Sequence, residues 1–106
     1  RHLKVFAGPR FLKTARGLQE QPYGSHADEI ETSLMLAIAP ELVEMAQAAA
    51  SPVSPSGPLR GPLSPDDAKS PNYSPSGSFG DPTLASAEKG EKLLAAILED
   101  LMDMAA

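Results

Sequence analysis

Proline is concentrated in one part of this sequence. The range 51–82 holds eight of the eleven prolines, and five of them directly follow a serine. Proline fixes φ and lacks a backbone N–H, so it does not suit a helix interior or a central strand. A segment this rich in Pro, Ser and Gly also buries too little apolar surface to offset the entropy lost on ordering. We therefore predict one long surface loop over 51–82, with the folded elements before and after it.

A histidine and three carboxylates stand directly before an apolar run. Asp28 and Glu31 have the spacing of a capping box, in which side chains satisfy the unpaired N–H groups of a helix start. Residues 34–39 are apolar all round, which is typical of a helix buried on more than one side. Pro40 then interrupts the hydrogen-bond ladder. The pattern predicts a short buried helix that begins near Glu29 and ends before Pro40.

His26 and Glu31 are the candidate catalytic residues of this junction. On one regular helix their side chains would point roughly 140° apart, so they can meet only if His26 lies in the preceding loop, where the predicted cap places it. A carboxylate bonded to one ring nitrogen orients an imidazole and stabilises its protonated form, as a general acid or base requires. The alternative is that Glu31 only caps the helix and His26 is only a loop histidine, since charged helix starts far outnumber active sites.

Two blocks of the sequence resemble the creatinine amidohydrolase (creatininase) family. Residues 26–37 have the sequence His-Ala-Asp-Glu-Ile-Glu-Thr-Ser-Leu-Met-Leu-Ala, followed by Pro-Glu-Leu-Val at 40–43. They resemble a family segment, His-Gly/Ala-Gly-x-x-Glu-Thr-Ser, that continues into a Leu-Met-Leu-Ala helix. Residues 76–82, Ser-Gly-Ser-Phe-Gly-Asp-Pro, with the helix-like residues 84–91, resemble the family's Gly-x-x-Gly-Asp-Pro turn and final helix. The resemblance extends over residues 3–101.

The resemblance implies a fold. Creatininase-like proteins are three-layer α/β/α hydrolases, and this chain corresponds to the C-terminal part, so residues 1–106 would form a single partial domain of the α/β class. We expect about one strand at 3–7, closed by a Gly-Pro turn signal, then the buried helix, the long loop and a final amphipathic helix. That last helix is predicted over 84–104, where apolar residues recur at i, i+3, i+4 and i+7. The first residue is Arg1 rather than Met, which fits a fragment.

The sequence also predicts a loop, a second helix and one close contact between backbones. Residues 13–23 are polar, with Gly17 and Pro22, which predicts a loop with at most a helical turn. Residues 41–50 favour a helix by propensity. Gly90 costs about 1 kcal/mol relative to Ala inside a helix, so we expect it to mark close packing against another backbone.

The resemblance also implies an activity. Members of this family hydrolyse C–N bonds of cyclic or linear amides with two divalent metal ions, commonly zinc or manganese, and assemble into oligomers. His26 would handle protons during amide opening, and Glu31 would support it. The segments that carry the family's metal ligands are absent, so this chain alone is expected to hold no metal and to be inactive. At Asp28 the family usually has glycine, which suggests a positive φ or a close backbone approach there.

Net charge, the length of apolar runs and the lack of cysteine disfavour several other classes of function. The net charge of −5 disfavours phosphate contacts with nucleic acid. No apolar run approaches the roughly 20 residues that span a bilayer, and no secretory signal is visible, so we expect a cytoplasmic protein without a membrane partner. With no cysteine, disulfides and thiolate metal sites are excluded. We expect a small-molecule amide substrate and a homo-oligomer when full length. The alternative is a noncatalytic interaction segment acting through the Ser-Pro loop and the C-terminal helix.

Overall fold

A computed structural model describes residues 2–51 and 62–106. In these residues the chain forms three α-helices, and α3 packs against both of the others. The helices are α1 (Pro9–Leu18), α2 (Glu29–Ile38) and α3 (Ala87–Ala105). Short 3-10 turns occupy Pro40–Leu42, Met45–Gln47 and Pro82–Leu84. No helix among the described residues combines the length and the apolar character needed to cross a membrane.

The predicted α/β class is wrong, because the described residues contain no β-strand. They form two isolated bridges instead, an antiparallel one between His26 and Phe79 and a parallel one between Ser64 and Tyr73. The segment 3–7, predicted as a strand, contains a turn and leads into α1. A strand satisfies its backbone only by pairing with neighbours, and the described chain offers this segment none. The structure is mainly helical, and residues 2–51 and 62–106 show no three-layer α/β/α arrangement.

Two local predictions of secondary structure are also wrong. Residues 13–23 are predicted to form a loop with at most a helical turn, yet α1 continues to Leu18. Its Phe11, Ala15 and Leu18 follow the i, i+4, i+7 spacing and pack on the core. Residues 41–50, expected as a helix, form two 3-10 turns with extended backbone at Val43 between them. Every residue from 41 to 50 is exposed or only half-buried, so no packed apolar face stabilises a longer helix there.

The predicted limits of α2 are confirmed. The Asp28 carboxylate accepts hydrogen bonds from the N–H groups of Ile30 (3.1 Å) and Glu31 (3.0 Å), and the helix ends at Ile38, before Pro40. The predicted burial holds for one face only. Ile30 and Leu34 are buried, whereas Met35 is 39% exposed and Ile38, one turn after Leu34, is 59% exposed. Met35 and the last turn of α2 are therefore left uncovered.

The core lies between the three helices, with α3 at its centre. Its buried side chains come from all three: Phe11, Ile30, Leu34, Leu93 and Ile97. The predicted last helix is confirmed as α3, and Leu93, its most buried core residue, is fully enclosed. The expected close packing at Gly90 is confirmed as well. A Cβ added there would lie 1.8 Å from the carbonyl oxygen of Ser33 in α2.

The start of α1 is capped by a residue from α3. Gly8, at the N-cap, has no side chain to offer, and the Asp100 carboxylate accepts from the N–H groups of Arg10 (3.1 Å) and Phe11 (2.9 Å) instead. Arg10 also forms an ion pair with Asp100. Burial opposes ionisation of Asp100, but these hydrogen bonds outweigh it and hold the pKa of Asp100 below its usual value. The contact fixes α1 on α3.

Of the predicted loop, residues 52–61 lie outside the described residues. From 62 to 81 the chain has turns, bends and bridge residues, and Ser74 is fully buried. That the chain is a single partial domain stays a prediction.

Candidate functional site

The two sequence blocks that define the candidate site meet at His26 and Phe79. Phe79 donates its N–H to the His26 carbonyl oxygen at 2.7 Å. In return the Phe79 carbonyl oxygen accepts from the N–H groups of Ser25 (2.8 Å) and His26 (3.3 Å). The loop before α2 is thereby attached by its backbone to the turn before α3. His26 lies in that loop, as predicted, and is exposed.

Glu31 lies in the first turn of α2, where its carboxylate accepts a hydrogen bond from the N–H of Ala27 at 3.1 Å. This completes a variant of the predicted capping box, because the bond goes to Ala27 rather than to Asp28 itself. Across the residues described, no hydrogen bond joins the His26 imidazole to the Glu31 carboxylate. The structure therefore places both residues at the start of α2, and their catalytic roles stay predictions.

The backbone between His26 and Asp28 turns through a left-handed residue. Ala27 has φ 46°, which is uncommon for a residue with a side chain, while Asp28 has φ −94°. The positive φ suggested for position 28 by the family's glycine is therefore found one residue earlier. The Gly80 backbone lies against the Asp28 side chain, since a Cβ on Gly80 would lie 2.6 Å from the Asp28 Cβ.

A buried glutamine joins these segments, and the sequence analysis missed it. Gln21 is 3% exposed, and its Nε2 donates to Asp28 Oδ2 (2.8 Å) and Gln19 Oε1 (3.1 Å). Its Oε1 accepts from the N–H groups of Glu29 (3.2 Å) and Asp81 (2.9 Å). Nothing in the local sequence indicates this role, because Gln21 stands in a polar segment and Asp81 is distant along the chain.

A buried ion pair lies beside this glutamine. Glu29 is fully buried, and its carboxylate accepts from the N–H groups of Glu20 (2.8 Å) and Gln21 (2.9 Å) and from Lys89 Nζ (2.6 Å). Lys89 also donates to the Leu84 carbonyl oxygen at 2.7 Å. Burial opposes the charge on Lys89, but its hydrogen bonds to Glu20 and Glu29 outweigh this and raise the pKa of Lys89. The start of α3 is thus tied to the start of α2.

The turn at Gly80 is held from a further side by Ser51. Gly80 donates its N–H to Ser51 Oγ at 2.9 Å, and its carbonyl oxygen accepts from the Ser51 N–H at 2.9 Å. The Tyr23 hydroxyl lies 3.2 Å from Ser51 Oγ, and its ring packs on Phe79 with centroids 5.1 Å apart. These contacts fix the backbone opposite His26.

Glu31 lines concave regions on more than one side. A cavity of about 270 Å³ lies between α1 and the start of α2, with Phe6, Phe11 and Ser25 in its wall. On the other side lies an apolar groove of about 360 Å³. Its lining includes Val5, Phe6, Met35, Ile38 and Leu94. Small-molecule sites are concave and mostly apolar with a few polar groups. The lining of the cavity between α1 and the start of α2 includes Asp28 and Glu31 but not His26.

The candidate site does not include a metal centre. Among residues 2–51 and 62–106, no group of three or more His, Asp or Glu side chains is arranged to hold a metal ion. The other histidine, His2, is exposed in the segment before α1. The residues that the structure describes therefore do not fit the two-metal site that the family resemblance implies.

A comparison with protein families supports the resemblance. A family model described as creatinine amidohydrolase matches residues 4–105, almost the whole chain. Comparisons with curated proteins and with solved structures each give no significant match. The matched range includes both sequence blocks that the structure joins at His26 and Phe79.

Proposed function

The chain belongs to the creatinine amidohydrolase family, and on that premise we propose that it contributes His26 and Glu31 to the metal-dependent hydrolysis of a C–N bond in a small cyclic or linear amide. One observation carries the proposal. The loop that bears His26 is fixed by three backbone hydrogen bonds to Phe79, while its imidazole stays exposed beside the start of α2. A fixed backbone positions a catalytic group, and exposure gives its side chain access to a substrate.

His26 is the proton carrier in this proposal. Hydrolysis adds water to the carbonyl carbon and breaks the C–N bond, and the departing nitrogen must receive a proton because an amine leaves more easily than its anion. His26 takes a proton from the attacking water and delivers one to that nitrogen. Imidazole suits both steps because it gains and loses protons near neutral pH.

Glu31 supports His26 through the intervening turn. Ala27 holds a left-handed conformation that costs a residue with a side chain roughly 1–2 kcal/mol. The hydrogen bond from Ala27 N–H to the Glu31 carboxylate helps to hold this conformation, and with it the direction in which the chain leaves His26.

We also propose that this chain is the C-terminal part of a longer, homo-oligomeric cytoplasmic protein, whose other segments hold the zinc or manganese ions of the family. The apolar groove supports the part of this proposal that concerns contact with further protein. Its Met35 and Ile38 are largely uncovered, and contiguous apolar surface marks an interaction site more often than single exposed residues do. Ions held by those other segments would supply an activated water nucleophile.

The noncatalytic interaction segment is not favoured. That alternative assigns binding to the Ser-Pro loop and the last helix. The last helix is α3, which lies at the centre of the core, with Leu93 fully buried. The family match also extends over this helix.

Elemental analysis combined with an amide hydrolysis panel tests the proposal. The samples are this chain and the longest natural form of the protein. We expect the longer form to bind about two metal ions and to hydrolyse at least one small amide, as two-metal hydrolases do. Absence of both properties from the longer form would overturn it.

A further inference from the structure

We propose that Gln21 is the positioning residue that orients the His26 loop. Its side-chain amide lies between the two segments that form the His26–Phe79 bridge and bonds to both of them. The catalytic meaning of this role rests on the function proposed above. The structural role is independent of that function and is tested separately.

The amide is packed directly between two glycines. A Cβ on Gly24 would lie 2.4 Å from Gln21 Nε2, and a Cβ on Gly80 would lie 2.6 Å from Gln21 Oε1. Gly24 belongs to the loop that carries His26, and Gly80 follows Phe79. Both backbones therefore rest against the same planar group, which leaves no space for a side chain on either.

Every hydrogen-bonding position of the amide is used. A glutamine amide can donate twice and accept twice, and Gln21 does both. Its Oε1 accepts from Glu29 N–H on the α2 side and from Asp81 N–H on the turn side. The chemistry fixes the orientation, because a flipped amide would direct its NH2 group at two N–H donors.

The Gln21 side chain forms hydrogen bonds with both arms of the bridge, which are the segment after His26 and the segment after Phe79. Asp28, which accepts from Gln21, lies two residues after His26, and Asp81, which donates to Gln21, lies two residues after Phe79. A single buried side chain thus sets the separation of the two arms. His26 bonds to Phe79 through its backbone, so the position and direction of its Cα–Cβ bond follow from how the arms are held.

An amide is required at this position. In Gln21→Glu, a carboxylate would face Asp28 Oδ2 at hydrogen-bond distance, and two like charges there repel. The second substitution Asp28→Asn removes the repulsion and exchanges donor and acceptor. An asparagine at 28 can donate to the new carboxylate with Nδ2 and still accept from Ile30 and Glu31 with Oδ1. The double variant Gln21→Glu with Asp28→Asn should therefore restore the hydrogen bond between positions 21 and 28.

The test uses NMR on the 106-residue chain. We measure the His26 imidazole C–H resonance, assigned with His26→Gln, and the hydrogen exchange of the Phe79 N–H, which donates to His26. The Leu93 N–H in α3 serves as the reference for global opening. In Gln21→Glu we expect the His26 resonance to shift and the Phe79 N–H to exchange about tenfold faster relative to Leu93, the fold-change for one lost charge-assisted hydrogen bond.

The double variant should return both values to those of the unsubstituted chain. An unshifted His26 resonance in Gln21→Glu, equal acceleration of Phe79 and Leu93, or failure of Asp28→Asn to rescue would each overturn the proposal. If Gln21→Glu does not fold, the double variant decides: a folded protein with the original His26 resonance supports the role, and an unfolded one refutes it.

Kinetics separate this inference from the proposed function. In the longest natural form, Gln21→Glu should lower kcat with little change in KM, and the double variant should restore kcat. If that form shows no amide hydrolysis, the proposed function fails while the NMR result still decides whether Gln21 positions His26.

Discussion

Gly90 of α3 lies so close to Ser33 of α2 that an added Cβ would stand 1.8 Å from the Ser33 carbonyl oxygen. This is the closest approach that the glycines of the described residues make to a backbone atom. It lets Ser33 Oγ accept from the Ser86 N–H at 3.1 Å just before α3 begins. The approach of the two helices therefore depends on the absence of one side chain.

Gly90→Ala should destabilise the protein although it raises helix propensity. The Cβ can be accommodated only if α3 moves away from α2, and overpacking of this kind costs about 1–3 kcal/mol. The free energy of unfolding from urea denaturation checks the loss. Gly17→Ala is the matched control, since a Cβ there meets nothing within 4 Å. It should stabilise α1 by about 0.5–1 kcal/mol. Equal effects of the two substitutions would contradict the close packing.

Asp100 should make stability depend on pH in the acid range. Its pKa is lowered in the folded state, so its contribution is fully present above the unfolded value of 3.8 and is lost as pH falls through the lower folded value. Unfolding followed between about pH 6 and pH 2 should show a steeper loss below pH 4 in the unsubstituted chain than in Asp100→Asn. Asp66→Asn, at an exposed site, is the control and should follow the unsubstituted chain.

Lys89→Met should be strongly destabilising, because it leaves the fully buried Glu29 carboxylate without its cation. Breaking a buried pair in this way costs about 3–5 kcal/mol. Adding Glu29→Gln removes the stranded charge and should recover part of the loss. Lys92→Met is the control, since Lys92 and Glu88 form an exposed pair 3.5 Å apart, and it should change stability by less than about 1 kcal/mol. Thermal unfolding of the unsubstituted chain, Lys89→Met, Lys89→Met with Glu29→Gln, and Lys92→Met measures these changes in stability. Similar losses for Lys89→Met and Lys92→Met would show that the buried pair is not needed.

The sequence predicts the elements whose signals are local. Asp28 and Pro40 mark the two ends of α2 with side-chain chemistry that acts within a few residues, and the spacing of apolar residues marks α3. The strand predicted at 3–7 had an adequate local pattern as well. A strand also needs a partner, and that is a property of distant residues.

The parts that were missed have an obscured local pattern or depend on distant contacts. Phe11, Ala15 and Leu18 form the apolar stripe of α1, but charged residues and Gly17 between them hide the spacing. Gln21 gave no signal, because its bonding partner Asp81 lies sixty positions away. The same holds for Asp100, which caps α1 from ninety residues away. Sequence therefore places His26 and Glu31 at the helix start and leaves the residues that hold them there unidentified.

The most direct test of the proposed function is the turnover of His26→Ala in the longest natural form of the protein, with metal content measured on the same samples. We expect kcat for amide hydrolysis to fall at least about a hundredfold, the usual contribution of a general acid–base group, while the metal content stays nearly unchanged. His2→Ala, at the other exposed histidine, should keep full activity. Unchanged turnover in His26→Ala would contradict the assignment.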